Sequence, residues 1–214
     1  MKNELYIRII ASLIMLPLTF VIIIIGDHYF NLFLILCLFI TLFEWFKMKV
    51  ENFYYYMGVF FFIFSFMSAH ILRNNFDEGL FIFLFITVVC ISTDIGGYIF
   101  GKIFKGPKLT KISPNKTYSG SIGGILLSLI FVHIYMYIYN YFYDPIIYLD
   151  LKIICLTLTI SIVSQLGDLT ISYFKRSSNI KDTGNLIPGH GGILDRIDGL
   201  LFAIPFYYLI EIVK

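Results

Sequence analysis

Polar and charged residues crowd one stretch in the last third of an otherwise apolar chain. Ser164, Asp168 and Ser172 are spaced by four residues, so they share one face of a helix. Asp195 and Asp198 are three residues apart and share a face of a second helix. Carboxylates on two helices that flank a loop suit a hard cation such as Mg²⁺, which proteins commonly bind through one or two carboxylates and substrate phosphates. The spacing therefore indicates metal-assisted chemistry on a phosphate.

The loop between these two helices contains the run Pro-Gly-His-Gly-Gly at residues 188–192. Proline and glycine keep this run out of a helix. Its backbone N–H groups can approach an anion where the next helix presents its positive N-terminal end. Taken singly, Lys175, Arg176 and Lys181 are explained as topology signals or lipid-headgroup contacts. Together with the loop and the carboxylates, they indicate phosphoryl or nucleotidyl transfer, because basic side chains neutralise phosphate charge.

The composition places these groups in a membrane protein. The 214 residues are 58% hydrophobic and 14% charged, whereas soluble domains are about 45–50% apolar and about 25% charged. A soluble domain of this length has too little interior to bury so many apolar side chains. We predict an all-α polytopic membrane protein that forms a single integral membrane domain over residues 1–214. About seven transmembrane helices are expected, within a range of six to eight, at residues 6–25, 29–46, 53–71, 79–100, 120–142, 151–173 and 194–213.

The basic residues predict the orientation of these spans. If seven spans alternate, thirteen Lys and Arg residues fall on the side of the N-terminus, and Arg73, Lys152 and Lys214 fall on the other. Because cytoplasmic loops carry an excess of Lys and Arg, we predict a cytoplasmic N-terminus. The first apolar run is too long for a signal peptide, and no cleavage pattern follows it. We therefore expect a retained first span.

Two further carboxylates lie inside predicted spans, near their cytoplasmic ends. A carboxylate within a span is costly and normally faces protein or water, so Glu44 and Asp94 are candidate functional residues. Snorkelling toward the interface or an interhelical ion pair is the alternative explanation for each.

Glycine pairs four residues apart occur at the end of the predicted fourth span and in the predicted fifth span. Gly97 and Gly101 line one helix face, and Gly120 and Gly124 line another, which permits close backbone approach. Helix packing within the chain is the simpler interpretation. Dimerisation through these faces is a second hypothesis.

The polar stretch resembles the signature of a known family. Residues 172–198 read S-Y-F-K-R, four residues, K-D-T-G and N-L-I-P-G-H-G-G-I-L-D-R-I-D. This is similar to the signature of the CDP-diacylglycerol synthase (phosphatidate cytidylyltransferase) family, with every constrained position filled. The resemblance extends to three other segments, namely 164–169, 94–101 with 112–117, and Glu44-Trp45. It thus defines a catalytic signature at 164–200 and a supporting cytoplasmic motif at 94–120.

The resemblance implies an enzyme that makes CDP-diacylglycerol and pyrophosphate from CTP and phosphatidate. It implies dependence on magnesium, with a second cation such as potassium alongside. The implied location is the bacterial inner membrane, with the active site on the cytoplasmic side. The expected partners are the two substrates and the lipid bilayer, with no nucleic acid, and a homodimer is a hypothesis.

The resemblance also assigns roles to residues. Asp168 and Asp195 are the implied cation ligands. The implied catalytic set is Asp168, Asp195, Asp198, Lys175, Arg176, Lys181, Asp182 and Arg196. The implied substrate-binding set is Asp94, Lys116, Thr117, Ser164, Ser172, His190, Gly191 and Gly192. His190 is not expected to be a nucleophile, because direct attack by phosphatidate on CTP needs no covalent intermediate.

The chain departs from the family pattern at two positions. Ser119 and Ile171 stand where many members have Glu, which lowers the number of carboxylates expected around the site. The chain is also short for the family, so we expect one or more N-terminal spans to be missing.

Two other functions are compatible with the sequence. A CTP-dependent kinase or nucleotidyltransferase acting on another lipid, such as a polyprenol, would use similar groups. A cation transporter would also carry intramembrane carboxylates, but its polar residues should thread the midplane of inverted repeats, which are not detected.

Overall fold

The computed structural model describes residues 13, 15, 17–110, 113–142, 147–186 and 191–213. Helix α1 is described over 17–25. The helices that follow it are α2 (Asp27–Lys47), α3 (Asn52–Asn74), α4 (Gly79–Phe104), α5 (Tyr118–Phe142), α6 (Leu151–Ser177) and α7 (Leu194–Val213). The predictions that concern His190, and those for the start of the first span, lie outside the described residues.

Each predicted span from the second to the seventh overlaps one of these helices, and the described part of the first span lies in α1. Five of them, α2 to α6, are long and apolar enough to cross a membrane. The described residues form no strand, only an isolated bridge between Lys108 and Thr117. The prediction of an all-α membrane protein is therefore confirmed. The count of seven spans and the cytoplasmic N-terminus stay predictions, as does the single membrane domain.

The chain divides into two compact units. The first unit comprises Met1–Leu80 and Tyr173–Asp198, and the second comprises Phe81–Ser172 and Gly199–Lys214. The boundaries fall within α4, α6 and α7, so the polar signature is divided between the units.

In the first unit, an aromatic side chain ties the early helices together. Trp45 on α2 is 1% exposed and its indole N–H donates to the carbonyl of Tyr55 over 3.1 Å. Its ring packs edge-on against Phe62 of α3 and Phe174 at the end of α6, with centroids 5.2 and 5.1 Å away. Gly58 leaves room for the indole, because a Cβ there would approach the ring closer than 3.0 Å. The indole thus fixes the residue that precedes Lys175.

In the second unit, the paired glycines bring α4 and α5 into close contact. A Cβ on Gly120 would lie 2.6 Å from the carbonyl oxygen of Gly97, and one on Gly124 would lie 2.7 Å from that of Thr93. Helix packing within the chain is therefore what these residues do. Dimerisation through the same faces, the second hypothesis, stays a prediction.

Hydroxyl and amide groups hold α6 against α4 and α5. The hydroxyls of Thr93 and Ser161 are 2.8 Å apart. The hydroxyl of Ser121 donates to the side-chain carbonyl of Gln165, and the amide of Gln165 donates back to the Ser121 carbonyl over 3.3 Å. Such bonds hold helices together where the surrounding solvent is lipid. They fix the part of α6 that leads to Asp168.

Candidate active site

In the second unit, the loop between α4 and α5 places Lys116 beside α6. The Lys116 ammonium forms an ion pair with Oδ2 of Asp168, and the two side chains are 27% and 28% exposed. The hydroxyl of Ser172, one turn along α6, donates to Oδ1 of Asp168 over 3.3 Å. Three predicted site residues from two separate parts of the sequence therefore meet in one group.

The loop that carries Lys116 is held by its own backbone. Leu109 donates its N–H to the Lys116 carbonyl over 2.8 Å, and Tyr118 donates to the Pro107 carbonyl over 3.2 Å. Thr117, predicted to bind substrate, accepts the N–H of Gly120 on Oγ1 at 3.1 Å. This is the bonding of a helix N-cap, so in this structure Thr117 starts α5 and thereby fixes its neighbour Lys116.

The two departures from the family pattern have different surroundings. Ser119 contacts the Lys105 carbonyl and the Thr117 hydroxyl, so it helps to close the α4–α5 loop. Ile171 is 2% exposed and is part of the apolar core of the second unit. The expected Glu at this position is therefore replaced by a packing residue.

In the first unit, Asp195 at the start of α7 is surrounded by donors. Lys175 donates to its Oδ1 over 2.7 Å, and the side chains of Lys175 and Asp195 are 10% and 6% exposed. Oδ2 accepts the N–H groups of Thr183 and Gly192 at 2.8 and 3.0 Å and lies 3.0 Å from the Thr183 hydroxyl. Both oxygens of this carboxylate are thus bound by residues of the signature.

The two predicted cation ligands can be compared with what a metal needs. Within the described residues, no three His, Cys, Asp or Glu side chains are grouped to hold a metal ion. Asp168 and Asp195 are each paired with a lysine ammonium instead. Each of these carboxylates could supply a ligand to a cation that arrives with nucleotide phosphates, as Mg²⁺ commonly does. Asp168 is the more accessible of the two carboxylates.

The remaining predicted residues are distributed as follows. Arg176 donates to the Ile180 carbonyl over 2.9 Å and closes the turn after α6. Ser164, in the second unit, is 1% exposed, and its hydroxyl has no hydrogen-bond partner among the described residues. Asp198 is 7% exposed. The exposed members of the set are Asp94, Arg176, Lys181, Asp182 and Arg196.

The run at residues 188–192 is predicted to offer backbone N–H groups to an anion, and residues 188–190 of it lie outside the described residues. The N–H of Gly192 instead donates to Asp195, and those of Ile193 and Leu194 donate to Glu44 at 3.0 and 2.9 Å. The chain's own carboxylates therefore occupy these three donors.

Two residues of this group have no role in the site predicted from sequence. Glu44 is predicted as a candidate functional residue and as part of the family resemblance, and Thr183 only as part of the signature. The structure joins them through a 2.8 Å hydrogen bond from the Thr183 hydroxyl to Oε2 of Glu44. The sequence feature that points to Glu44 is a carboxylate inside an apolar helix, which needs a polar partner. The sequence does not identify that partner, because Thr183 lies 139 residues away along the chain.

Comparison with known proteins places these residues in a family. A model of the cytidylyltransferase family matches residues 49–213. A phosphatidate cytidylyltransferase of Rickettsia bellii is 38% identical over 217 residues, which cover 98% of this chain and 92% of that protein. The resemblance inferred from the signature residues is confirmed.

Two longer relatives carry the same name. The phosphatidate cytidylyltransferase of Brucella suis is 40% identical over 156 residues, which cover 71% of this chain and 54% of that protein. That of Bacillus subtilis is 44% identical over 140 residues, which cover 65% of this chain and 50% of that protein. The matched region thus spans about half the length of these two relatives. Because the family model matches more than half of the chain, the chain belongs to the cytidylyltransferase family.

Proposed function

We propose that this chain transfers the cytidylyl group of CTP to phosphatidate, giving CDP-diacylglycerol and pyrophosphate. The observation that carries the proposal is the buried pair of Lys175 and Asp195 at signature positions of a cytidylyltransferase-family chain. Relatives similar to this chain over most of its length are named phosphatidate cytidylyltransferase, which supports the choice of acceptor.

The reaction is a displacement at phosphorus. An oxygen of the phosphatidate phosphate attacks the α-phosphorus of CTP, a new P–O bond forms, and the bond to the β-phosphate oxygen breaks. The attacking oxygen is already anionic, so no general base is required. Catalysis of this kind consists mainly of positioning and of neutralising charge.

Lysines and carboxylates divide this work in the proposal. Asp168 and Asp195 would hold Mg²⁺, with or without a second cation such as potassium. A cation bound there would supply positive charge to the phosphates and the leaving group. Lys116 and Lys175, each now paired with one of these carboxylates, turn to the phosphates of the substrates. Exposed Lys181 and Arg196 add positive charge for the same anions.

The membrane setting follows from the same proposal. Phosphatidate stays in the bilayer while CTP comes from the cytoplasm, so the reaction needs a membrane protein whose basic residues face the cytoplasm. The excess of Lys and Arg on one side of the predicted spans supports this orientation in a bacterial inner membrane.

Label placement in CTP tests the reaction type. Purified protein in detergent is incubated with phosphatidate, Mg²⁺ and CTP labelled either at the α- or at the γ-phosphate. The proposal expects lipid-soluble label from the α-position only, and only when phosphatidate is present. Label from the γ-position would indicate a kinase, and product with a polyprenol instead of phosphatidate would indicate a different acceptor; either result contradicts the proposal.

A further inference from the structure

Glu44 is a buried carboxylate whose partners all come from the other end of the chain. It lies on α2 and is 3% exposed. Its Oε1 accepts the N–H of Ile193, and its Oε2 accepts the N–H of Leu194 and the hydroxyl of Thr183. The first two donors belong to the start of α7, where a helix has unpaired N–H groups and favours negative charge. One side chain therefore caps α7 and holds the described part of the loop between α6 and α7, residues 178–186 and 191–193, here called the signature loop.

The loop is shaped around this carboxylate. A Cβ on Gly192 would lie closer than 3.0 Å to both Glu44 oxygens and to the Thr183 hydroxyl. A Cβ on Gly184 would lie 2.9 Å from Oε1 of Glu44. The backbone of Gly192 is not in the left-handed region. Glycine is therefore needed at this position for the close contact with Glu44 and not for its backbone conformation. Two glycines of the signature thus make room for Glu44.

Trp45, the next residue on α2, contacts the signature on the α6 side of the loop. Trp45 packs edge-on against Phe174 at 5.1 Å, directly before Lys175. Glu44 and Trp45 together therefore fix residues on both sides of the loop. Lys175 at the end of α6 and Asp195 at the start of α7 form the ion pair across it.

The contact reaches the candidate site through one threonine. The Thr183 hydroxyl lies 2.8 Å from Oε2 of Glu44 and 3.0 Å from Oδ2 of Asp195, and its N–H donates to the same Asp195 oxygen. We propose that Glu44 is a positioning residue for cytidylyl transfer, which docks the signature loop on α2 so that Asp195 and Lys175 are presented in one geometry. This inference rests on the proposed function, but the docking itself can be measured without activity.

Replacing Glu44 by Gln tests the docking directly. The amide keeps the shape but places an NH₂ group against N–H or O–H donors. We expect amide hydrogen exchange in peptides covering 183–196 to become about ten- to a hundredfold faster, with exchange elsewhere unchanged. We expect kcat for CDP-diacylglycerol formation to fall at least about tenfold. Glu51→Gln, the same change at an exposed carboxylate of the first unit, should alter neither quantity.

A second variant keeps Glu44 and fills the space that its carboxylate occupies beside Gly192. Gly192→Ala should give the same local exchange and the same loss of kcat, because its methyl group would lie closer than 3.0 Å to the Thr183 hydroxyl and to both Glu44 oxygens. Since both changes disrupt the same cluster around Glu44, the double variant should be no worse than the more impaired single variant. Multiplicative losses, faster exchange throughout the chain, or unchanged exchange at 183–196 would each overturn the inference. If the wild type makes no product while exchange behaves as expected, the docking stands and the proposed reaction fails.

Discussion

Two lysine–carboxylate pairs of this chain differ in burial, and the difference separates stability from activity at the scale of single residues. The Lys175–Asp195 pair is almost fully buried, with side chains 10% and 6% exposed, whereas the Lys116–Asp168 pair is 27% and 28% exposed. Breaking a buried pair leaves an uncompensated charge, which costs far more than breaking an exposed pair. Variants of the two pairs should therefore behave differently.

Lys175→Met should destabilise the protein strongly. It leaves Asp195 buried without its ammonium partner, and we expect the free energy of unfolding to fall by about 3 kcal/mol. Thermal denaturation in detergent measures the loss. Lys152→Met, at an exposed position at the start of α6, is the matched control and should change stability by less than about 0.5 kcal/mol. Equal stability of the two variants would show that the pair is not buried as described.

Asp168→Asn should reduce activity strongly and stability only slightly. Its pair with Lys116 is partly exposed, so the loss of stability should stay below about 1 kcal/mol. Since Asp168 is a proposed cation ligand, cytidylyl transfer should fall at least about a hundredfold. The measurement is labelled-CTP turnover beside a thermal denaturation curve. Near-normal turnover would remove Asp168 from the proposed site.

At the scale of elements, the contact between α4 and α5 depends on individual glycines. Gly120→Ala places a Cβ 2.6 Å from the Gly97 carbonyl oxygen, and such overpacking should cost about 1–3 kcal/mol of stability. Gly97→Ala is the matched control on the opposite helix, because the nearest atom is 3.8 Å from its Cβ. That variant should be neutral or slightly stabilising, as alanine favours helix more than glycine does. Thermal denaturation of both variants checks the difference.

The signature loop depends on a glycine for another reason. Gly191 has φ +89, and a Cβ there would lie 2.7 Å from Oδ2 of Asp195. Gly191→Ala should therefore strain the backbone by about 1–3 kcal/mol and also displace the carboxylate. Gly106→Ala shares the strain, at φ +98, but its Cβ would meet nothing closer than 3.6 Å. Turnover should fall much further for Gly191→Ala than for Gly106→Ala, and equal losses would contradict the role of Asp195.

The elements were predictable from sequence because apolar runs of helical length separate short polar connections. The predicted start of α7 at residue 194 coincides with the observed one. The predicted end of the sixth span at residue 173 falls short of Ser177, because Lys175 and Arg176 continue the helix beyond the apolar run. Hydrophobicity identifies the span, but backbone hydrogen bonding determines where the helix ends.

The sequence predicts which residues belong to the candidate site but not which residues contact each other. Asp168 and Asp195 were recognised from their types and setting, yet their lysine partners come from the α4–α5 loop and from the end of α6. Glu44 shows the reason most clearly. Its partners lie 139 to 150 residues away, and no local pattern encodes a contact at such separation.

At the scale of the whole molecule, the predicted orientation makes a claim that labelling can test. In a chain whose three cysteines are replaced, Asn185→Cys in the signature loop should react with a membrane-impermeant thiol reagent only from the cytoplasm. Tyr148→Cys, before α6 and 74% exposed, should react only from the opposite side. The physical reason is the excess of Lys and Arg on the side of the signature loop. Labelling of Asn185→Cys in intact cells would contradict the orientation.

The most direct test of the central claim compares two aspartate variants in the cytidylyl-transfer reaction. Wild type, Asp195→Asn and Asp77→Asn are purified in detergent and supplied with phosphatidate, Mg²⁺ and CTP labelled at the α-phosphate, with thermal denaturation confirming that each is folded. Asp77 is exposed in the α3–α4 connection and serves as the matched control. We predict labelled CDP-diacylglycerol from wild type and Asp77→Asn and at least about a hundredfold less from folded Asp195→Asn. Undiminished product from Asp195→Asn, or none from folded wild type, would contradict the claim that these signature residues perform cytidylyl transfer.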